Sequence, residues 1–179
     1  MESDLAATPY PDLVVRRSSD KRLFILPTGG LSGFTAGTSV AGDWSDAAAV
    51  QVSPDLTGDG APDLVVRTTS SAVEVHRGDG EGGFAAAAQK LSGFAGHDLV
   101  TAAGDLDGDG RNDLVARSVD TGRLDLMLGR KPGAKKPANS AAFKKKRTAN
   151  GDWSDVTDLA GVGDLDGDGR DDLALVRGD

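Results

Sequence analysis

Two stretches of this chain, "DLDGDGRND" from Asp105 and "DLDGDGRDD" from Asp164, set aspartates at positions 1, 3, 5 and 9 of a nine-residue run. Carboxylates that close repel. At about 4 Å and an effective dielectric near 20, each pair costs roughly 4 kcal/mol before solvent and counterions relieve it. A hard cation removes the difficulty, because Ca²⁺ takes six to eight oxygens at about 2.3–2.6 Å. Alternate aspartates let a curling loop aim its carboxylates inward, and glycines such as Gly108 and Gly110 permit the positive φ that the bend needs. Position 7 then offers a backbone carbonyl, and Leu106 anchors the loop in the core. The expected ligands are Asp105, Asp107, Asp109, Asp113 and the Arg111 carbonyl in one loop. In the other they are Asp164, Asp166, Asp168, Asp172 and the Arg170 carbonyl.

A related run, "DLTGDGAPD", keeps Asp55, Asp59, Asp63 and the Ala61 carbonyl but has Thr57 at position 3, so a weaker calcium site is expected. At the N-terminus "DLAATPYPD" retains only Asp4 and Asp12, with Ala6 and Thr8 between, and is expected to be metal-free. Aspartate and glycine also make ordinary turns, a reading that the chelating spacing outweighs in the two full loops. The opening "DxDGDG" loosely fits an EF-hand, but that loop ends in a glutamate at position 12. Position 12 is Val66, Ala116 or Leu175, inside apolar runs, so the EF-hand reading fails. Mg²⁺ is disfavoured by its demand for a rigid octahedron with retained waters.

The elements that position these loops recur. "PDLVVRR" at Pro11, "PDLVVRT" at Pro62, "NDLVARS" at Asn112 and "DDLALVR" at Asp171 place anchor aspartates 51, 50 and 59 residues apart. Trp44, Phe94 and Trp153 each stand 11 residues before a loop's first aspartate. Apolar, β-branched runs of four to seven residues bounded by Gly, Asp and Ser predict four short strands per unit. The alanine-rich fourth strand is the weakest, since alanine favours helix. Four-stranded units repeated at about 50 residues suit β-propeller blades. The expectation is an all-β, propeller-type array of antiparallel four-stranded blades, with repeats at about 1–41, 42–92, 93–150 and 151–179. The first copy starts at its second strand and the fourth ends after its second. An arc of a larger ring, or part of a ring closed by a second chain as a homodimer, is therefore expected.

"GDLDGDGRNDLVAR" followed by "GRLDLMLG" resembles the FG-GAP (VCBS) repeat, the family that includes the integrin alpha propeller and many bacterial secreted proteins. The "FxxGxxG" element that names the family is poorly kept, "GEGGFAAA" around Phe84 being its nearest echo. The short units are more similar to actinobacterial repeats appended to secreted hydrolases such as peptidoglycan amidases. The resemblance implies calcium in the hairpin loop between the first two strands of each blade, and an extracellular, non-catalytic binding module. Its ligand would be a cell-wall polymer or other carbohydrate, or a protein in an adhesive scaffold.

Composition narrows the classes further. The chain has 179 residues, with 38% hydrophobic and 4% aromatic residues and no cysteine, which excludes disulfides, metal thiolates and cysteine nucleophiles. A net charge of −8 argues against nucleic acid as a partner. No run of about 18 apolar residues exists to span a membrane. The start, "MESDLAATPY", lacks a secretory signal, leaving a cytosolic protein or a segment of a longer secreted chain. His76 and His97 occupy unrelated places in the repeat, and no nucleophile motif accompanies them. The insertion 130–147 holds eight Lys or Arg and no acid, so a solvated loop is expected, with docking to an anionic polymer as the sharper alternative. "RGD" at Arg77 and at Arg177 reads as strand ends opening turns. Trp44 and Trp153 read as packing between blades in preference to stacking on sugars.

Overall fold

The apolar runs at residues 64–66 and 114–116, which leave two of the acidic loops, lack alternation, which marks strands covered on both faces. A computed structural model of the chain describes residues 4–5, 10–28, 33, 36–86, 88–131, 141–144 and 147–178. Every regular element among them is a β-strand. Two compact units emerge, one of Glu2–Asp55 and Asp59–Leu91, the other of Leu56–Gly58 and Ser92–Asp179.

The first unit contains β1 (Leu13–Arg16), β2 (Leu23–Leu26) and β3 (Thr38–Ser39), a three-stranded sheet in that order. Its second sheet runs β4 (Ala47–Ser53), β5 (Asp63–Thr68), β6 (Val73–His76) and β7 (Gln89–Leu91). The other unit repeats the plan with β8 (His97–Gly104), β9 (Asp113–Ser118), β10 (Leu124–Met127) and β11 (Arg147–Thr148). It closes with the two-stranded pair β12 (Val156–Gly163) and β13 (Asp172–Arg177). All pairings are antiparallel between sequence neighbours, so each sheet is a meander, as a propeller blade requires. Among the described residues, the first copy shows three strands, the second and third copies four each, and the last copy two, as expected. Among the described residues the alanine-rich fourth segment forms the three-residue strand β7 and no helix.

Burial explains the sequence pattern. Leu64, Val65 and Val66 of β5 and Leu114, Val115 and Ala116 of β9 are all buried, because each is a second strand flanked on both sides. Fully burying such a Leu or Val contributes about 1.5–3 kcal/mol. In the first unit Trp44 packs with Leu23, Ile25, Ala47 and Leu64, so it fills the seam between two sheets. Trp153 packs half-buried against the cluster of Ala103, Val115, Leu124, Val156 and Leu159, with the Arg177 guanidinium 5.4 Å from its ring centroid.

A repeated arginine ties each sheet to the next within a unit. Arg16 at the end of β1 donates from Nε to the Trp44 carbonyl at 3.0 Å and from Nη2 to the Ser45 carbonyl at 3.1 Å. Arg117 in β9 holds the corresponding turn, donating to the Ser154 carbonyl at 3.3 Å and to that of Val156, while pairing through Nε with Asp98 at 3.0 Å. Charge-assisted bonds of this kind contribute about 1.5–3 kcal/mol each, less where solvent competes. Arg117→Ala is expected to lower stability by about 1–3 kcal/mol in urea melts. Arg117→Lys should recover little, since an ammonium cannot serve three acceptors in a fork.

The basic insertion is not a loop throughout. Arg130 N donates to the Ala142 carbonyl at 2.8 Å, Lys144 N donates to the Leu128 carbonyl at 2.6 Å, and Gly129 bridges Phe143. Ala141 and Ala142 are buried and Arg147 begins β11. The ends of the insertion thus extend the hairpin, because their backbone groups find partners there. Residues 132–140 and 145–146 lie outside the described residues, as do Ala6 and Thr8 of the first loop and Asp179 of the second "RGD". In the first "RGD", the Asp79 carboxylate accepts the Glu81 and Gly83 amides at 2.8 and 2.9 Å, which is turn chemistry.

Candidate metal centres

The three acidic loops join β4 to β5, β8 to β9 and β12 to β13, each closing a hairpin. Their glycines adopt the conformation that the sequence requires: φ is +74° and +77° at Gly108 and Gly110, and +80° and +86° at Gly167 and Gly169. That bend turns backbone amides onto the position-1 aspartate. Asp105 accepts Gly108 N at 2.9 Å, Asp109 N at 3.0 Å and Gly110 N at 2.7 Å. Asp164 accepts Gly167 N, Asp168 N and Gly169 N at 2.7, 3.1 and 2.9 Å. Asp55 accepts Asp59 N at 3.2 Å and Gly60 N at 2.7 Å.

Carboxylates converge in two of these loops. One oxygen each from Asp105, Asp107 and Asp109 lies within 4.8 Å of the others, and so it is for Asp164, Asp166 and Asp172. Oxygens on opposite sides of an ion with bonds of about 2.4 Å would stand about 4.8 Å apart, so both clusters have the span of one coordination sphere. Asp107 Oδ1 is buried and has no hydrogen-bond partner, which is costly for a carboxylate oxygen unless a cation faces it. An all-oxygen, anionic donor set suits hard divalent ions. Asp113 and Asp168 stand outside the clusters of their own loops. Asp55, Asp59 and Asp63 do not gather in the same way among the described residues. There the Arg77 guanidinium lies 3.6 Å from Asp59, and Thr57 is buried.

Position 9 does something the spacing alone did not suggest. Asp113 is wholly buried and accepts Leu106 N at 2.9 Å and Gly129 N at 2.6 Å. It therefore staples the loop to the segment that follows β10. Asp63 accepts Gly78 N at 3.1 Å, and Asp172 accepts Leu165 N at 2.9 Å. Asp12 accepts Leu5 N at 2.8 Å and Thr28 N at 3.2 Å, although its loop lacks aspartates at positions 3 and 5. The staple explains Gly129: a Cβ there would fall 2.5 Å from the Asn112 carbonyl oxygen.

Residues 55–116 and 105–175 match the FG-GAP-like repeat, each match running from the first aspartate of one acidic loop into the strand that leaves the next. The chain belongs to the FG-GAP-like repeat family. No curated protein matches it at a significant level. FG-GAP-like repeats form propeller-type blades that serve as interaction modules, typically without catalysis, and they are typical of extracellular proteins. No helix among the described residues of this FG-GAP-like chain is long and apolar enough to cross a membrane.

Burial pushes the Asp113 carboxyl up to about 6; the Gly129 and Leu106 amides oppose the rise, and the charges of Asp107 and Asp105 add to it. A carboxyl whose folded pKa lies above its unfolded value of about 3.9 destabilises when ionised; that cost is complete above about pH 6 and gone below about pH 4. In chelator, the Asp113 contribution to stability is expected to rise as pH falls from 7 to 5. Urea midpoints across that window check it: Asp113→Asn should remove this component of the slope.

Three interactions were not legible in the sequence of this FG-GAP-like chain. His97 Nε2 lies 2.8 Å from Asp125 Oδ2, both residues buried, and Thr148 Oγ1 donates to Asp125 Oδ1 at 2.7 Å. The His76 ring sits 4.8 Å from that of Trp44 and its Nδ1 is 3.0 Å from the Ala85 carbonyl. Both histidines are built into the sheets. The third interaction is at Lys144, whose ammonium lies 3.4 Å from Asp107 Oδ2 and pairs with Asp109 Oδ2, a contact that raises the lysine pKa. The repeated arginines had left a signal, one at the same phase of the first three copies; Lys144 had left none.

Proposed function

We propose that this FG-GAP-like chain is a calcium-stabilised, non-catalytic interaction module of a secreted protein, a single module of four repeats. The observation that carries the reading is the convergence of Asp105, Asp107 and Asp109, with the buried, unpartnered Asp107 Oδ1 among them. Bound Ca²⁺ would neutralise the crowded carboxylates and couple loop order to metal concentration. Asp105, Asp107, Asp109, Asp113 and the Arg111 carbonyl would hold one ion, and Asp164, Asp166, Asp168, Asp172 and the Arg170 carbonyl a second. Asp113 retains lone pairs beyond its two amide bonds. A weaker third site would use Asp55, Thr57, Asp59, Asp63 and the Ala61 carbonyl. Dissociation constants of roughly 10⁻⁴ to 10⁻³ M, usual for extracellular modules, suit secretion into millimolar calcium. Calorimetric titration of chelated protein with CaCl2 tests this: two sites are expected, one lost in Asp105→Asn and the other in Asp164→Asn. A flat titration would sink the reading.

The ligand we favour is a protein, docked on the propeller-type blades. Supporting this choice over a cell-wall polymer are the two tryptophans, since Trp44 is buried in a seam and Trp153 is packed under Arg177. Sedimentation with purified cell walls decides between them. Calcium-dependent co-sedimentation that soluble glycans abolish would select the polymer.

A further inference from the structure

The ammonium of Lys144 occupies the mouth of the Asp105 loop, and we infer that Lys144 is a tethered competitor that sets how tightly this loop binds calcium. The inference rests on the calcium reading above and goes beyond it, because it assigns a regulatory role to a residue outside the loop. Chain geometry puts Lys144 there. Its own amide donates to the Leu128 carbonyl at 2.6 Å, and its neighbour Phe143 bridges Gly129. Gly129 in turn donates to Asp113, position 9 of the same loop, at 2.6 Å. The lysine stem therefore starts from a ladder fixed to the loop it serves. At its far end the ammonium contacts Asp107 Oδ2 at 3.4 Å and Asp109 Oδ2 more closely, two of the three carboxylates in the cluster.

An ammonium and a divalent ion cannot share those oxygens. The ammonium is a monovalent charge with three donors, whereas calcium needs the same carboxylates at bonding distance and repels a neighbouring cation. Binding therefore ejects the ammonium, and the loss of its two ion pairs is subtracted from the affinity. In the absence of metal the same contacts offset part of the carboxylate repulsion, so the loop stays formed. The Asp164 loop has the same aspartates at positions 1, 3, 5 and 9 but no Lys or Arg ion pair to them among the described residues, which makes it an internal reference. Two loops of nearly identical sequence thereby acquire different calcium thresholds.

Site-resolved NMR of the ¹⁵N-labelled chain, titrated with CaCl2, tests this. The Gly110 and Gly169 amides donate to Asp105 and Asp164 respectively, so each reports one loop. Lys144→Met keeps the apolar stem and removes the charge. It is expected to move the Gly110 midpoint to about tenfold lower calcium, the factor that corresponds to two exposed ion pairs, and to leave Gly169 in place. Lys144→Arg, which keeps the charge, should leave Gly110 near its original midpoint. A Gly110 midpoint equal in the original chain and in Lys144→Met, with both amides titrating, would overturn the inference while leaving calcium binding intact. Silence of both amides at every calcium level would overturn the calcium reading itself, and this inference with it.

Discussion

Asp113→Ala is expected to destabilise the unit containing β8–β13 by about 2–4 kcal/mol even in chelator, because two amides of the fold lose their acceptor. Leu106 N and Gly129 N both point at this wholly buried carboxylate. Each unsatisfied buried donor costs about 1–3 kcal/mol, and removal of a desolvated charge returns part of that sum. Asp107→Ala should behave in the opposite way. Its Oδ1 has no partner and its Oδ2 only an exposed ion pair, so in chelator the change should be within about 1 kcal/mol. With calcium the order changes, since Asp107→Ala forfeits the metal's stabilisation at that loop. Urea melts of both variants, in chelator and in 10 mM CaCl2, separate staple from ligand. An Asp113→Ala protein as stable as the original in chelator would show that position 9 serves only the ion.

The second large effect is calcium itself. At about 10 mM free ion and a dissociation constant of roughly 10⁻⁴ to 10⁻³ M, each occupied site adds about 1.4–2.7 kcal/mol by mass action. The Asp105 and Asp164 loops belong to one compact unit, so their contributions add there, to about 3–5 kcal/mol. For a unit of this size 1 kcal/mol moves the midpoint by about 4–8 °C, so a rise of at least about 10 °C is expected. Calorimetric melts in chelator, 10 mM CaCl2 and 10 mM MgCl2 measure it. A midpoint indifferent to calcium, or raised as much by magnesium, contradicts the assignment. Asp105→Asn and Asp164→Asn should each remove about half of the rise.

Much of this FG-GAP-like protein was set by local chemistry that a sequence carries openly. Strand order, the four copies, the hairpin position of the acidic loops and the positive φ of their glycines all follow from short-range turn and burial patterns. The continuous run in "DLVAR" already implied a strand covered on both faces, and Leu114 to Ala116 are buried as that run requires. What the tertiary structure alone decided are partnerships between residues that the chain separates. Asp113 and Gly129 are 16 residues apart, His97 and Asp125 are 28, and Lys144 and Asp107 are 37. Aspartates at positions 1 and 9 look alike as letters. One collects the loop's own amides and the other reaches across to a neighbouring strand, and only the path of that strand separates the two roles. The same holds for Lys144, one of eight basic residues in its segment, whose charge has a function only because a ladder to Leu128 and Gly129 sets it over an acidic loop.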